Sequence, residues 1–262
     1  MSTETLDQLL TQALAARTDL LDAEHVGALR LFNGFLEGCP DIVIDLYAQT
    51  AVIHNYADPP VRAQPLIPIA QAFIQRALPW VTAILLKTRN ATAPTGRQGR
   101  LLAGTTLAQK IREHGVGYAL DLRLNQDASL YLDTRNLRRW ALDNLGGKTV
   151  LNTFAYTGSL GVAAHAGGAT RVVQMDLSQP FLELAKASMA LNGWPVNQAD
   201  FQASDFWSRI GHFKKASQRF DCVFVDPPLF AQTQHGRVDL MAHPERVINK
   251  VCLLYTSDAA DE

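Results

Sequence analysis

The chain is poor in several things, and each shortage excludes a class of protein. It has three cysteines, Cys39, Cys222 and Cys252, far apart and with no CxxC pair. That spacing gives neither a disulfide framework nor a zinc-ligand set. Its seven histidines show no ligand spacing, so no metal is expected. No apolar run approaches the roughly 20 residues that span a bilayer, so no membrane partner is expected. The N-terminus, "MSTETLDQLLTQALAARTDLLD", begins polar and acidic and lacks the basic-then-apolar pattern of an export signal. A reducing, cytoplasmic setting fits these absences. Internal repeats and low-complexity segments are also missing. What remains is 262 residues, 47% hydrophobic and 19% charged, with a formal net charge of −1. That composition suits one large globular domain, or a small one joined to a larger one.

The most informative shortage is of acid. Residues 59–112 contain no acidic side chain but eight basic ones: Arg62, Arg76, Lys87, Arg89, Arg97, Arg100, Lys110 and Arg112. Residues 1–58 hold nine acids against only Arg17 and Arg30. An acid-free basic stretch suits a surface that contacts phosphates, because each cation can displace condensed counterions. A solvated face with no partner is the plain alternative.

Periodicity divides the chain in two. Residues 3–24 read as an amphipathic helix. Residues 42–47 and 51–56 read as a hairpin about Ala48-Gln49-Thr50. A proline-rich boundary, a helix near 66–77 and a strand at "VTAILLK" follow. "NATAPTGRQGR" reads as a mobile basic loop, and "VGYALDLRL" with "ASLYLDT" as a further hairpin. From Asn136 helices and strands alternate. A helix over about 135–144 precedes the strands "TVLNTF", "RVVQMD", "NQADFQAS" and "FDCVFVD", with helices between them. Repeated βα units predict a parallel sheet covered on both faces, with ligands at the carboxyl ends of its strands.

Those strand ends carry polar groups in order. After the first, "NTFAYTGSLG" sets Thr157 and Gly158 in a tight turn before a helix, whose N-terminus offers free N–H groups. The second ends at Asp176, eighteen residues beyond Gly158, a distance suited to a carboxylate that accepts from a ribose diol. The third leads to Asp205, positioned for an adenine amino group. The fourth runs into Asp226-Pro227-Pro228, where the prolines stop the strand. Singly, each has a plain role as a turn or helix cap. Their recurrence at the same end of successive strands points to one crevice. A nicotinamide dehydrogenase is the first rival, but "YTGSLG" supplies only Gly158 and Gly161 where G-x-G-x-x-G is wanted. With no diphosphate cradle, the turn suits a nucleoside cofactor without phosphate, S-adenosylmethionine.

The segments "YALDLRLNQDASLYLDTRNLRRW", "VLNTFAYTGSLGVAAHAGGA", "VVQMDLS", "LNGW" and "FVDPPLF" resemble class I S-adenosylmethionine-dependent methyltransferases of large-subunit ribosomal RNA, the 5-methylcytosine and 7-methylguanine enzymes. The resemblance spans about Gly115–Phe230, and "LRLFNGFLEGCPDIVIDLY" is similar to the β-rich segment that precedes the catalytic domain there. It implies an α/β, Rossmann-like methyltransferase sheet behind a small α+β domain. It implies cofactor contacts from Asn152, Phe154, Tyr156, Thr157 and Gly158 after the first strand. It also implies contacts from Asp176 and Ser178 at the ribose, from Asp205 and Phe206 at the adenine, and from Asp226. Asp226, Pro227, Pro228 and Phe230 are the implied catalytic loop, with Phe230 free to stack on an extruded base. Asn152 departs from the wider superfamily, where an acid is common. Methylation at cytosine C5 needs a thiolate; the relatives carry theirs downstream of the next strand, and a packing role suits Cys39 and Cys222.

The last eleven residues, "CLLYTSDAADE", resemble the translation of a transposase-type sequencing adapter, which makes Val251 the expected last natural residue. The alternative is a genuine acidic tail. On the first reading the sheet is incomplete at its C-terminal strands. The expected organisation is therefore 1–112 as an α+β domain suited to RNA recognition, 113–251 as the methyltransferase domain, and 252–262 as a non-native tail. The expected activity is methyl transfer to a base in RNA, ribosomal RNA in particular. A protein or small-molecule acceptor, or a non-catalytic RNA-binding module of the same fold, are the alternatives.

Overall fold

The computed structural model describes residues 3–252 and Leu254. Two compact units divide between Leu132 and Asp133.

The first unit opens with helix α1 (Thr3–Arg17), whose Leu6, Leu10 and Ala13 form one buried stripe. The helix ends seven residues short of the expected Glu24, passing into a single 3-10 turn at Thr18–Leu20. Asp22 then competes for backbone donors, accepting the N–H groups of Val26 at 2.9 Å and Gly27 at 2.8 Å. Strands β1 (Ala28–Phe32), β2 (Ile42–Tyr47) and β3 (Thr50–Asn55) form an antiparallel meander, including the expected hairpin. Helix α2 (Ile67–Ala77) crosses over to β4 (Ala83–Thr88), which pairs parallel with β3. The segment expected to be a loop contains a short helix, α3 (Pro94–Gln98), and then β5 (Arg100–Ala103), which closes the sheet against β4. Pro94 suits a helix start because its missing N–H has no helical partner to lose there.

Alternation gives this five-stranded sheet two unlike faces. Ile44, Leu46, Ala51, Ile53, Ile84 and Leu86 join the residues of α1 and α2 in one apolar core. Arg30, Asp45, His54 and Lys87 lie on the other face. There the buried Asp45 carboxylate takes Arg30 through both oxygens, at 2.8 and 3.1 Å, and His54 Nε2 at 3.3 Å. Those partners hold its pKa below the usual value against the effect of burial.

Two expectations fail at the end of this unit. Strand β7 (Val116–Ala119) pairs with β6 (Lys110–Glu113) and not with residues 128–134, which form no strand. His114 and Gly115 both have positive φ, 52° and 81°, as a tight two-residue hairpin turn demands. The expected boundary at residue 112 also moves twenty residues on, because the following segment is tied to the first unit. Lys87 Nζ donates to the carbonyls of Asn125 and Asp127, and the Tyr47 hydroxyl donates to Leu130 O.

The second unit alternates as expected: α4 (Arg135–Asn144), β8 (Thr149–Thr153), α5 (Ser159–Ala166), β9 (Arg171–Asp176), α6 (Gln179–Leu191), β10 (Phe201–Ala203), α7 (Phe206–Lys215) and β11 (Cys222–Val225). All four strands are parallel, in the order β10-β9-β8-β11. Val150 and Phe224 pack with Ala141 of α4, Leu145 just beyond it, and Leu160 and Ala163 of α5. Leu151, Val173 and Met175 pack with Phe206, Ile210 and Phe213 of α7 on the opposite face. Strands covered on both sides explain the nearly unbroken apolar runs in the sequence.

After β11 come β12 (Phe230–Thr233) and β13 (Gly236–Asp239), then α8 (Glu245–Val251). The two strands make a separate antiparallel ribbon and do not extend the parallel sheet. Of the suspected tail, all but Cys252 and Leu254 lies outside the described residues. Leu254 is buried in the α7 and α8 core, and its carbonyl accepts Phe220 N–H at 2.7 Å.

Candidate active site

The strand order decides where a site can form. The chain runs outward from β8 through β9 to β10, then returns to the other side of β8 for β11. The carboxyl ends of β8 and β11 therefore diverge into opposite connections and leave a crevice between them. Thr153, Asp176, Ala203 and Val225 end the four strands on this edge.

The loop after β8 is strained. Phe154, Tyr156 and Gly158 all lie in the left-handed region, with φ of 50°, 51° and 75°. For a residue with a Cβ this costs on the order of 1–3 kcal/mol, so the surroundings must enforce it. They do so through β9. Ala155 N–H donates to Met175 O at 2.8 Å, and Tyr156 N–H to Asp176 Oδ2 at 2.8 Å. Phe154 stacks on Phe206 with centroids 4.6 Å apart, and Tyr156 meets Phe181 edge-on at the same distance.

Asp176 is the hub of this arrangement. Its Oδ1 accepts Ser178 N–H at 2.9 Å while Oδ2 holds Tyr156, and its main-chain carbonyl accepts Ser204 N–H at 2.9 Å. Desolvation nevertheless raises its pKa, outweighing the lowering by these backbone donors. The carboxylate thus has unused capacity to accept hydrogen bonds in a poorly hydrated place, which fits donors arriving with a ligand.

Gly158 is glycine for a different reason from the one its sequence context suggests. A Cβ there would lie 2.4 Å from Ala185 Cβ and 2.5 Å from Gln174 Oε1. Its bare side faces the protein interior, letting α5 settle onto β9 and α6. Asn152 belongs to the same interior. It is buried, and its amide Nδ2 donates to Gln174 Oε1 at 3.3 Å. Thr157 is also buried. Asp205 caps α7, accepting Ser208 N–H through Oδ1 at 3.0 Å, and Phe206 is core.

Across the crevice, Asp226 follows β11 directly. Desolvation, then repulsion from Asp133, raises its pKa. Pro227 and Pro228 follow, and Phe230 opens β12 with 56% of its surface exposed. One face of that ring is taken, because the Arg237 guanidinium lies 4.9 Å from its centroid.

A family model described as S-adenosylmethionine-dependent methyltransferase matches residues 86–259. The chain belongs to that family. Among curated relatives, ribosomal RNA large subunit methyltransferase I of Alteromonas mediterranea is 28% identical over 86% of this chain and 57% of its own length. Ribosomal RNA large subunit methyltransferase K/L of Psychrobacter arcticus is 31% identical over 95% of this chain and 33% of its own. The chain therefore spans between a third and somewhat over half of these relatives. A crystal structure of SMU.776 complexed with SAH superposes with a TM-score of 0.86, at 21% identity, over 98% of this chain and 66% of that one. At that identity the likeness is one of fold, and the fold is the Rossmann-like one expected.

The methyltransferase edge also carries residues that sequence reasoning passed over. Leu177, between Asp176 and Ser178, is 66% exposed. An isolated apolar residue after a strand-end acid was the available signal. Arg237 gave no signal, since only the β12–β13 pairing brings it to Phe230. The cysteines lie elsewhere. Cys222 begins β11 at the end away from the crevice, and burial, then Asp221, pushes its thiol pKa up. Such a thiol is a poor nucleophile. Among the described residues, no group of three His, Cys, Asp or Glu side chains could hold a metal ion. No described helix is long and apolar enough to cross a membrane.

Proposed function

We propose that this chain, in a cytoplasmic setting, binds S-adenosylmethionine at the β8/β11 switch and methylates a base in RNA, ribosomal RNA in particular. The observation that carries the reading is geometric: in the order β10-β9-β8-β11, Asp176 ends β9 and Asp226 follows β11, so carboxylates stand on the carboxyl edge on both sides of the β8 loop. Asp176 suits the ribose, whose hydroxyls would donate to carboxylate lone pairs beyond those that the backbone N–H groups occupy. Leu177 offers an exposed apolar surface for the adenine, and Asp205, whose Oδ1 accepts the Ser208 N–H, would present Oδ2 to the exocyclic amine. Phe154, braced by Phe206, and the strained turn through Tyr156, Thr157 and Gly158 would hold the methionine end. When bound, the cofactor supplies an electrophilic methyl carbon on a sulfonium.

The acceptor side falls to the loop after β11. Pro227 and Pro228 fix the backbone, so the loop is held in place before any base arrives. Phe230, backed by Arg237, presents its free ring face to an extruded base, and Asp226 accepts hydrogen bonds from that base's edge. With a base held by Phe230 and Asp226 in line with that methyl carbon, transfer would be a displacement at carbon, and any proton the base sheds would pass to Asp226 or to water. Positioning supplies much of the rate in such a displacement. The names of the two curated relatives, both ribosomal RNA large subunit methyltransferases, support RNA as the acceptor.

The test is a calorimetric titration of S-adenosylmethionine into the chain, with NAD as control, followed by methyl transfer from labelled cofactor to ribosomal RNA. Selective binding is expected. Asp226→Ala is expected to abolish transfer while cofactor affinity changes little. Equal binding of NAD, or equal losses of binding and transfer in the variant, would remove this assignment of the edge.

A further inference from the structure

The sheet face of the first unit that carries Asp45, His54 and Lys87 lies next to partly exposed aromatic and charged groups. His54 lies 6.1 Å from Tyr56, ring to ring, and the Arg89 guanidinium lies 5.7 Å from the Tyr56 ring. Arg89 also pairs with Asp127 Oδ1 at 2.7 Å, and Asp127 Oδ2 accepts the Tyr131 hydroxyl at 3.1 Å. Tyr56 is 38% exposed and Tyr131 43%, so the strip ends in two accessible tyrosine rings braced by one arginine–aspartate pair.

Two arginines lie on segments that Lys87 ties to the end of β4. Lys87 Nζ, beneath the surface, donates to the carbonyls of Asn125 at 2.6 Å, Asp127 at 3.1 Å and Arg97 at 3.4 Å. One buried ammonium thus fastens α3 and the 121–131 segment to the end of β4. Arg97 sits on the first of these, and Arg123, whose charge Lys87 feels, on the second. Both arginine side chains are exposed, and neither forms an ion pair among the described residues. Of the acids present, Asp127 is taken by Arg89 and Tyr131, while Asp121 accepts the Arg123 N–H at 2.9 Å.

We propose that Tyr56, Tyr131, Arg97 and Arg123 form a docking surface for single-stranded RNA, the tyrosines stacking on bases and the arginines meeting phosphates. This rests on the RNA reading of the methyltransferase and gives it a second contact, on the first unit. Accessible rings interleaved with unpaired cations are what an unpaired strand requires, since every base has a stacking face and every phosphate a charge. A duplex hides its base faces and would engage only the cations.

The test measures binding of a fluorescein-labelled single-stranded RNA oligonucleotide by anisotropy, between about 50 and 200 mM salt. The R97A/R123A double variant is expected to bind more weakly and to flatten the log–log salt slope by about 1.4, or about 0.7 for each of two phosphate contacts. Tyr131→Ala is expected to weaken binding roughly 5- to 150-fold, the loss of one base stack. Tyr131→Phe, which keeps the ring and drops the hydroxyl bond to Asp127, should bind nearly as the natural chain does. Loss in Tyr131→Phe equal to that in Tyr131→Ala would overturn the stacking role. Unchanged affinity and slope in the double variant would overturn the phosphate role. Equal competition by polyglutamate would replace RNA with any polyanion, and no binding by the natural chain would dismiss the surface altogether. Calorimetry with S-adenosylhomocysteine on every variant keeps the cofactor reading separate, since these substitutions should leave it unchanged.

Discussion

Gly158 separates what a residue type announces from what it does. In the sequence, a glycine before a helix suggests room for a ligand; in the fold its missing side chain is aimed at Ala185 and Gln174. Gly158→Ala therefore adds a left-handed φ penalty to an internal clash. We expect urea unfolding to show a loss of about 2–4 kcal/mol. Unchanged stability with weakened cofactor binding would return the residue to a ligand-contact role. Asp176 gives a prediction in pH. Its pKa in the free chain lies above the ordinary carboxylate value, and ribose hydroxyls would bind its ionised form. Cofactor affinity should then fall with decreasing pH, starting at a higher pH than an ordinary aspartate would give. A 2′-deoxyribose analogue should show a weaker fall. If both titrate alike, Asp176 is not the ribose acceptor. Asp176→Ala tests the same role less cleanly, because it also strips two backbone N–H groups of their acceptor.

At the scale of elements, legibility followed burial. Strands β8, β9 and β11 were readable because both faces are covered, and apolar runs ending in Asp or Pro survive that geometry unmixed. The β6–β7 hairpin was misassigned because "ASLYLDT" carries an equally good strand pattern. The choice between partners lay in His114-Gly115 adopting a positive-φ turn, which hydropathy does not record. The 121–131 segment is held by a side chain remote in sequence, Lys87, and no local pattern encodes that. This buried ammonium makes its own prediction. Desolvation lowers its pKa from 10.5 to about 8. Between those values the unfolded chain binds more protons than the folded one, so stability should rise as pH climbs through that window, by up to about 3 kcal/mol. Denaturant unfolding at successive pH values should show this rise in the natural chain and lose it in Lys87→Met. A flat profile in the natural chain would mean that Lys87 titrates normally.

Over the whole molecule, the two units differ in charge along the sequence. The acid-free stretch from 59 to 112 runs through the first unit, and the carboxylates of the methyltransferase edge lie in the second. The site was legible as positions along strands, since parallel order alone gathers Asp176, Asp205 and Asp226 on one edge. It was not legible as roles, because caps, interior glycines and the Arg237 brace depend on packing between elements distant in sequence.

The return from α7 to β11 has a practical corollary. Residues 216–221 join these elements at the edge of the sheet opposite the crevice, and Ala216 and Ser217 are exposed. A fluorescent reporter or affinity handle spliced in there would sit the length of β11 away from Asp226.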